Sequence, residues 1–272
     1  MTTPFRPCGV VTLTTDFGHK GPYVACMKGV LLTRDPTIRI VDLSHETQVH
    51  WPAEAGFWLE RSFRWFPVGT VHLAVVDPGV GTGRDIIVAQ CEGHVFLAPD
   101  NGLLGSMLGK RTDVTVFRLD LQRLGGLGLP PASSTFHGRD IFAPVGAALA
   151  SGKARPSTLG TPIDPAELVP SWIEDPEVTS TQVRGRVITF DHFGNVITNI
   201  EAELLERFDV PWVRIGGREL PVRRTYAEAS PGEYLALVNS FGVLEVARAE
   251  GSAHAGLGAE RGAPIVVFER EA

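Results

Sequence analysis

Two short apolar runs in this chain each end on an aspartate. Asp16 closes Gly9-Val10-Val11-Thr12-Leu13-Thr14-Thr15, and Asp77 closes Val71-His72-Leu73-Ala74-Val75-Val76. Runs this short, rich in β-branched residues and lacking Asp, Glu, Lys and Arg, read as buried strands. Glycine or proline follows each carboxylate closely, so the chain turns where the acid stands. A strand buried on both faces needs cover on both, which constrains the fold to a layered α/β arrangement. In open α/β sheets ligands gather just beyond the carboxyl ends of strands. Two carboxylates placed there point to an enzyme.

The surrounding pattern agrees. Val24, Met27, Val30 and Leu31 fall at helical spacing and predict a helix over Pro22–Thr33. Residues 38–41 read as a strand, and Pro52 opens a helix running to about Phe66. Strands are expected over 70–76, 86–90, 94–98 and 113–118, with a short helix near 101–109. A further helix after His137 carries Phe142 through Leu149. This predicts an α/β N-terminal domain over residues 1–155, a mostly parallel sheet flanked by helices. Prolines at 156, 162, 165, 170 and 176 suggest a Pro-rich linker over 156–181. Residues 182–272 hold short runs of β-branched and aromatic residues, with Gly216-Gly217 as a tight hairpin turn. They predict a small all-β, barrel-like domain. Trp51, Trp58 and Trp65 recur every seven residues, which suggests a core face, with Trp51 at the helix entrance where it could stack on a ligand.

A net charge of −6 argues against a nucleic-acid partner, which needs a basic face. The apolar runs fall far short of the ~20 residues of a membrane span. The first residues lack the apolar core of a signal peptide. Cys8, Cys26 and Cys91 form no paired motif and read as reduced thiols, with Cys26 and Cys91 packed, so a cytoplasmic setting is expected.

Five constellations carry chemistry-bearing residues. In Thr14-Thr15-Asp16-Phe17-Gly18 the aspartate could hold a ribose diol or merely cap the turn. In Asp77-Pro78-Gly79-Val80-Gly81-Thr82-Gly83-Arg84 the glycines allow close backbone approach, and the terminal acid and guanidinium can pair. The alternative is a glycine-rich hairpin with an ordinary surface ion pair. The loop lacks the GK[ST] of a phosphate-binding Walker loop. His137 in Phe136-His137-Gly138-Arg139-Asp140 stands just before a helix, where a histidine is often only a cap; Arg139 and Asp140 read as a local charge pair. Asp191-His192-Phe193-Gly194-Asn195 and Asn239-Ser240-Phe241-Gly242 both fit ordinary hairpin turns.

Together, in order, TTDFG, PYVACMKG, VVDPGVGTGR, FHGRDIFAP, DHFGNVITN and NSFGVLE resemble one family along nearly the whole chain. It is that of the S-adenosyl-L-methionine (SAM) hydroxide adenosyltransferases, adenosine-forming SAM hydrolases related to the SAM-dependent fluorinase and chlorinase enzymes. The resemblance implies an α/β domain, a barrel-like domain and a homotrimer with active sites between neighbouring subunits. It implies a hydrolytic triad at Asp77, Arg84 and His137; halogenating relatives carry a tyrosine where this chain has Asp77. It places Asp16 on the ribose hydroxyls, and Tyr23 and Trp51 among the substrate contacts. Asp191, Phe193, Asn195 and Ser240 would come from the neighbouring subunit to grip methionine and adenine. One departure stands out: Gly21 occupies a position where the family commonly has an aspartate facing the methionine ammonium.

The implied reaction is attack of water on C5′ of SAM, releasing adenosine and L-methionine. SAM is then the substrate, with no further cofactor and no metal, because the sulfonium arrives activated. Asp77 and His137 would hold the water and Arg84 would orient them, or Arg84 would stabilise a hydroxide directly. The alternatives are a halide-using SAM enzyme, a non-catalytic SAM or nucleoside sensor, and a metal-dependent hydrolase built on Asp16, Asp42, His45 and Asp77.

Overall fold

The computed structural model describes residues 4–129 and 131–270. The chain divides into two units, Met1–Trp172 and Ile173–Ala272.

In the first unit, β1 (Val10–Thr15) leads to α1 (Tyr23–Arg34) and β2 (Arg39–Ser44). Next come α2 (Pro52–Ser62), β3 (Val71–Val75), β4 (Ile86–Cys91) and β5 (His94–Pro99). The unit continues with α3 (Gly105–Gly109), β6 (Thr115–Leu119), α4 (Ala143–Ala150), α5 (Pro156–Leu159) and β7 (Gly160–Ile163). The seven strands form one sheet in the order β2-β1-β3-β5-β4-β6-β7. β2, β1, β3 and β5 run parallel, while β4 is antiparallel to β5 and β6, and β7 to β6. Alternation along the strands sends side chains to two cores. Leu73 and Val75 pack with Val24, Met27 and Leu31 of α1 and with α4. Ala74 and Val76 pack with Ala55 and Leu59 of α2 and with α3.

The strand order puts the site where it is. β1 lies between β2 and β3, so the chain reverses its direction of travel across the sheet there. Thr15 pairs with Val75, which sets Asp16 and Asp77 at the same end of neighbouring parallel strands. This is the topological switch point at which open α/β sheets leave a crevice.

Two features depart from the sequence pattern. The tryptophan spacing does not mark a core face: α2 ends at Ser62, the chain tightens into a 3-10 turn over Phe63–Trp65, and Trp65 is 80% exposed. The helix buries Ala55, Phe57 and Leu59 instead. Part of the proline-rich stretch also joins the sheet, with Pro162 opposite Phe117 on edge strand β7, where its missing N–H is tolerated.

The second unit holds β8 (Glu177–Val178), β9 (Gln182–Phe190), β10 (Val196–Glu201), β11 (Pro211–Ile215) and β12 (Arg218–Pro221). It continues with β13 (Tyr234–Val238), β14 (Val243–Arg248), the short helix α6 (Ala253–Leu257) and β15 (Pro264–Glu269). The order is β12-β11-β15-β9-β10-β14-β13, with β8 on β9. A bridge between Val222 and Ala236 nearly closes this antiparallel sheet into a barrel. Ile215 pairs with Arg218 across Gly216 and Gly217, whose φ values of 56° and 74° are those of a type I′ hairpin turn.

Cys8, Cys26 and Cys91 are unbridged; burial pushes the Cys91 thiol up to about 11. Among the described residues no helix is long and apolar enough to cross a membrane.

Candidate active site

The loop after β3 folds back on itself. Val80 N donates to Asp77 O at 3.2 Å and Thr82 N to Gly79 O at 3.1 Å, coiling the segment so that Arg84 returns onto Asp77. Arg84 Nε donates to Asp77 Oδ1 at 3.1 Å and Oδ2 at 3.0 Å, and Nη2 to Oδ2 at 2.5 Å. The side chains are 11% and 4% exposed, so this pair is far less screened than a surface one. The same Nη2 meets His137 Nδ1 at 2.9 Å.

That contact fixes the state of the imidazole. A guanidinium only donates, so Nδ1 accepts, and the neutral ring carries its proton on Nε2. Burial holds the His137 pKa below its usual range, the Arg84 charge adds to this, and Asp77 and Asp140 oppose it. Three side chains expected to act together are thus one hydrogen-bonded set.

Gly81 makes the meeting possible. Its φ is +78°, and a Cβ there would lie 2.2 Å from the carbonyl oxygen of Ser134. Only glycine lets this loop lie against the segment that carries His137. His137 itself precedes a π-helical turn, Gly138–Phe142, that runs into α4; such turns often mark functional positions.

A strap, residues 45–51, wraps the turn after β1. Gly18 N donates to His45 O at 2.8 Å, and Thr47 Oγ1 to Thr15 O at 3.0 Å. Thr15 Oγ1 lies 2.8 Å from His45 Nδ1, and His45 Nε2 lies 3.0 Å from Asp42 Oδ1. Partial burial pushes the Asp42 pKa up, but hydrogen bonds from Lys28 and His45 outweigh it and hold the carboxyl below its usual range. His50, at φ 63°, turns its backbone N–H onto Asp16 Oδ2 at 2.9 Å and leads into half-buried Trp51. Glu54 Oε2 accepts from Gln48 N at 3.0 Å and secures the strap to α2.

Tyr23 packs edge-on against Phe136, with centroids 5.4 Å apart, and both rings meet Phe17. This aromatic group adjoins His137 through Phe136. A Cβ at Gly21 would lie 2.8 Å from the Tyr23 ring, so Tyr23 fills the space a side chain at 21 would use.

In the second unit, Asp191 organises the β9–β10 turn. Its Oδ1 accepts from Phe193 N and Asn195 N, both at 2.9 Å, and its Oδ2 from Asn195 Nδ2 at 2.8 Å. Phe193 projects from the turn, 76% exposed. Ser240 lies on the separate β13–β14 turn, where Asn239 Oδ1 accepts from Phe241 N at 2.9 Å.

Sequence profiles of two domains match the chain. The SAM hydroxide adenosyltransferase N-terminal domain covers residues 11–160, and the C-terminal domain of the same family covers 185–266. The chain belongs to the SAM hydroxide adenosyltransferase family. It is 38% identical over 262 residues to the (R)-S-adenosyl-L-methionine hydrolase of Thermus thermophilus, covering 94% of this chain and 98% of that protein. It is 36% identical to the hydrolase of the same name from Salinispora arenicola, covering 87% and 89%. The crystal structure of an uncharacterized conserved protein from Thermotoga maritima superposes with a TM-score of 0.86 at 34% identity, covering 95% and 99%.

In each unit of this family member, a residue that did not stand out in the sequence fixes the backbone or turn beside the named residues. Asn101 Nδ2 donates to Val76 O at 2.9 Å, fixing the backbone just before Asp77. Glu245 is buried in the barrel, accepting from Tyr226 Oη at 2.6 Å and Asn239 Nδ2 at 3.2 Å. Burial raises its pKa against those two hydrogen bonds. The described residues hold no cluster of three His, Cys, Asp or Glu side chains arranged for a metal.

Proposed function

We propose that the chain hydrolyses S-adenosyl-L-methionine to adenosine and L-methionine by in-line attack of water on C5′. The observation that carries this reading is the continuous Asp77–Arg84–His137 set just beyond β3. The hydrolase names of the Thermus and Salinispora relatives support it.

The electrophile needs little help, since neutral methionine leaves as the sulfonium charge is quenched. What remains is to hold a water in line and take its proton; positioning of this kind is worth up to ~7–11 kcal/mol of barrier. The hydrogen-bond inventory favours one division of roles. Arg84 only donates, and the Nδ1 lone pair of His137 faces Arg84. Asp77 Oδ1 accepts a single bond, from Arg84 Nε, and keeps capacity for a proton. Asp77 is therefore the general base. The Nε2–H of His137 donates to the water oxygen and aims its free lone pair at C5′. The C5′–S electron pair goes to sulfur, and Asp77 passes the proton to solvent. No cofactor or metal enters this scheme.

Asp16 would take the ribose hydroxyls through Oδ1, since Oδ2 holds the His50 N–H. Tyr23 and Trp51 would line the ribose and thioether. Asp191, Phe193, Asn195 and Ser240 would come from a neighbouring subunit of a homotrimer acting in the cytoplasm. The carboxylate at 77 disfavours a halide nucleophile by like-charge repulsion.

The test is incubation with SAM, with and without chloride, followed by chromatography. Adenosine and methionine in equal amounts, indifferent to chloride, are expected. A 5′-chloro nucleoside, or tight SAM binding with no product, would overturn the reading. Light scattering should give three times the chain mass; an active monomer would remove the neighbour's share of the site.

A further inference from the structure

We propose that Asp140 is a positioning residue for His137, fixing the segment that carries the imidazole and setting the local field around it. Asp140 is 8% exposed on the π-helical turn. Its Oδ2 accepts from Ser133 N at 2.9 Å. Arg139 Nε donates to Oδ1 at 2.6 Å and Nη2 to Oδ2 at 3.0 Å. Ser133 Oγ in turn accepts from Phe136 N at 3.1 Å. Asp140 thus ties down the start of segment 133–137, and Gly81 abuts it at Ser134. His137 is held at its distance from Arg84 by both.

The second part is electrostatic. The Arg139 hydrogen bond, helped by Ser133 and opposed by burial, holds the Asp140 carboxyl at about 2. It is therefore anionic wherever His137 titrates. The charged groups acting on the imidazole are Arg84 and Asp77 from the opposite loop and Asp140 from its own turn. Asp140 favours the imidazolium, against burial and Arg84. It opposes the lowering of the His137 pKa, as Asp77 does.

This role matters for catalysis only if His137 acts as proposed, but its test does not need turnover. The imidazole carbon-bound proton of His137 is followed by NMR against pH, assigned by its loss in His137→Gln. Asp140→Asn keeps a carbonyl for Ser133 N and removes the charge; the midpoint should fall. Arg139→Gln, at an exposed side chain, leaves Asp140 unneutralised, and the midpoint should rise. Above both midpoints, Asp140→Asn should lower kcat about tenfold with KM held. Midpoints that stay at the wild-type value, or that move in the same direction, would overturn the proposal. Opposite shifts in a chain that does not convert SAM would sink the catalytic reading and leave the role of Asp140 standing.

Discussion

In the first unit, Asp77, Arg84 and His137 bond to one another across 7 and 53 residues of sequence. In the second, Asp191 bonds to Phe193 and Asn195, its own turn. Both are networks around a carboxylate, yet they do different things. The first is assembled by the fold: strand order sets Asp77 in place, Gly81 admits the neighbouring segment, and Arg84 links the two. The second is local, shaping a turn that displays Phe193 outward. Long-range bonds fix groups from separate segments against one another, the preorganisation that catalysis requires; short-range bonds shape only the turn that carries them.

The largest effect that could break this contrast comes from Asp77→Asn. Removing the proposed base should reduce kcat by about 10³-fold, within the usual range for general-base catalysis, while KM for SAM moves only a few-fold. Steady-state kinetics checks it; equal loss in both constants would place Asp77 in binding.

Asp16→Ala should show the reverse. Losing charged hydrogen bonds to ribose should raise KM by roughly 10- to 100-fold, with kcat nearly held. Titration calorimetry with SAM, on a variant with turnover blocked at Asp77, isolates this binding loss.

Asp191→Ala should cost the second unit about 1.5–3 kcal/mol, the usual worth of hydrogen bonds to a charged group. Urea unfolding reads this loss. The loss should be confined to the second unit, since the Asp191 bonds lie within its own turn.

The smallest effect sharpens the comparison by pH. His72 and His94 are buried in the first unit, joined Nε2 to Nδ1 at 3.1 Å, with Thr12 on the other His72 nitrogen. Burial drives the His72 pKa well down, the His94 charge adding to it, and burial lowers that of His94. Below about pH 6.5 the unfolded chain binds more protons than the folded one, so this unit loses stability as pH falls. Glu245 in the second unit has a raised pKa, so the folded state takes up its proton first and gains as pH falls toward the ordinary carboxylate range. Hydrogen exchange at pH 7 and 5.5, corrected for intrinsic rates, should show protection lost first in residues 10–150.

Much of this was legible because it rests on local pattern. The buried strands ending at Asp16 and Asp77, and the paired glycines at 216 and 217, follow from apolar runs and from positive φ. The six ordered motifs pointed to Asp77, Arg84 and His137, whose side chains the fold brings into contact. What stayed hidden depends on contacts distant in sequence. Arg139 and Asp140 read as a charge pair, and so they are, but the tie from Asp140 to Ser133 needs the turn to form. His45 acquires its partners only once β1 and β2 lie side by side. β7 was masked by Pro162, acceptable only because that strand is an edge. Trp65 misled because its heptad spacing outlasts the helix.

A single turnover in ¹⁸O-labelled water, with enzyme in excess over SAM, tests the direct attack of solvent on C5′. The account predicts adenosine carrying one ¹⁸O at its 5′ oxygen in that first turnover, with methionine unlabelled. Unlabelled adenosine, with the label appearing in the Asp77 carboxylate, would mean that Asp77 is the nucleophile and would contradict it.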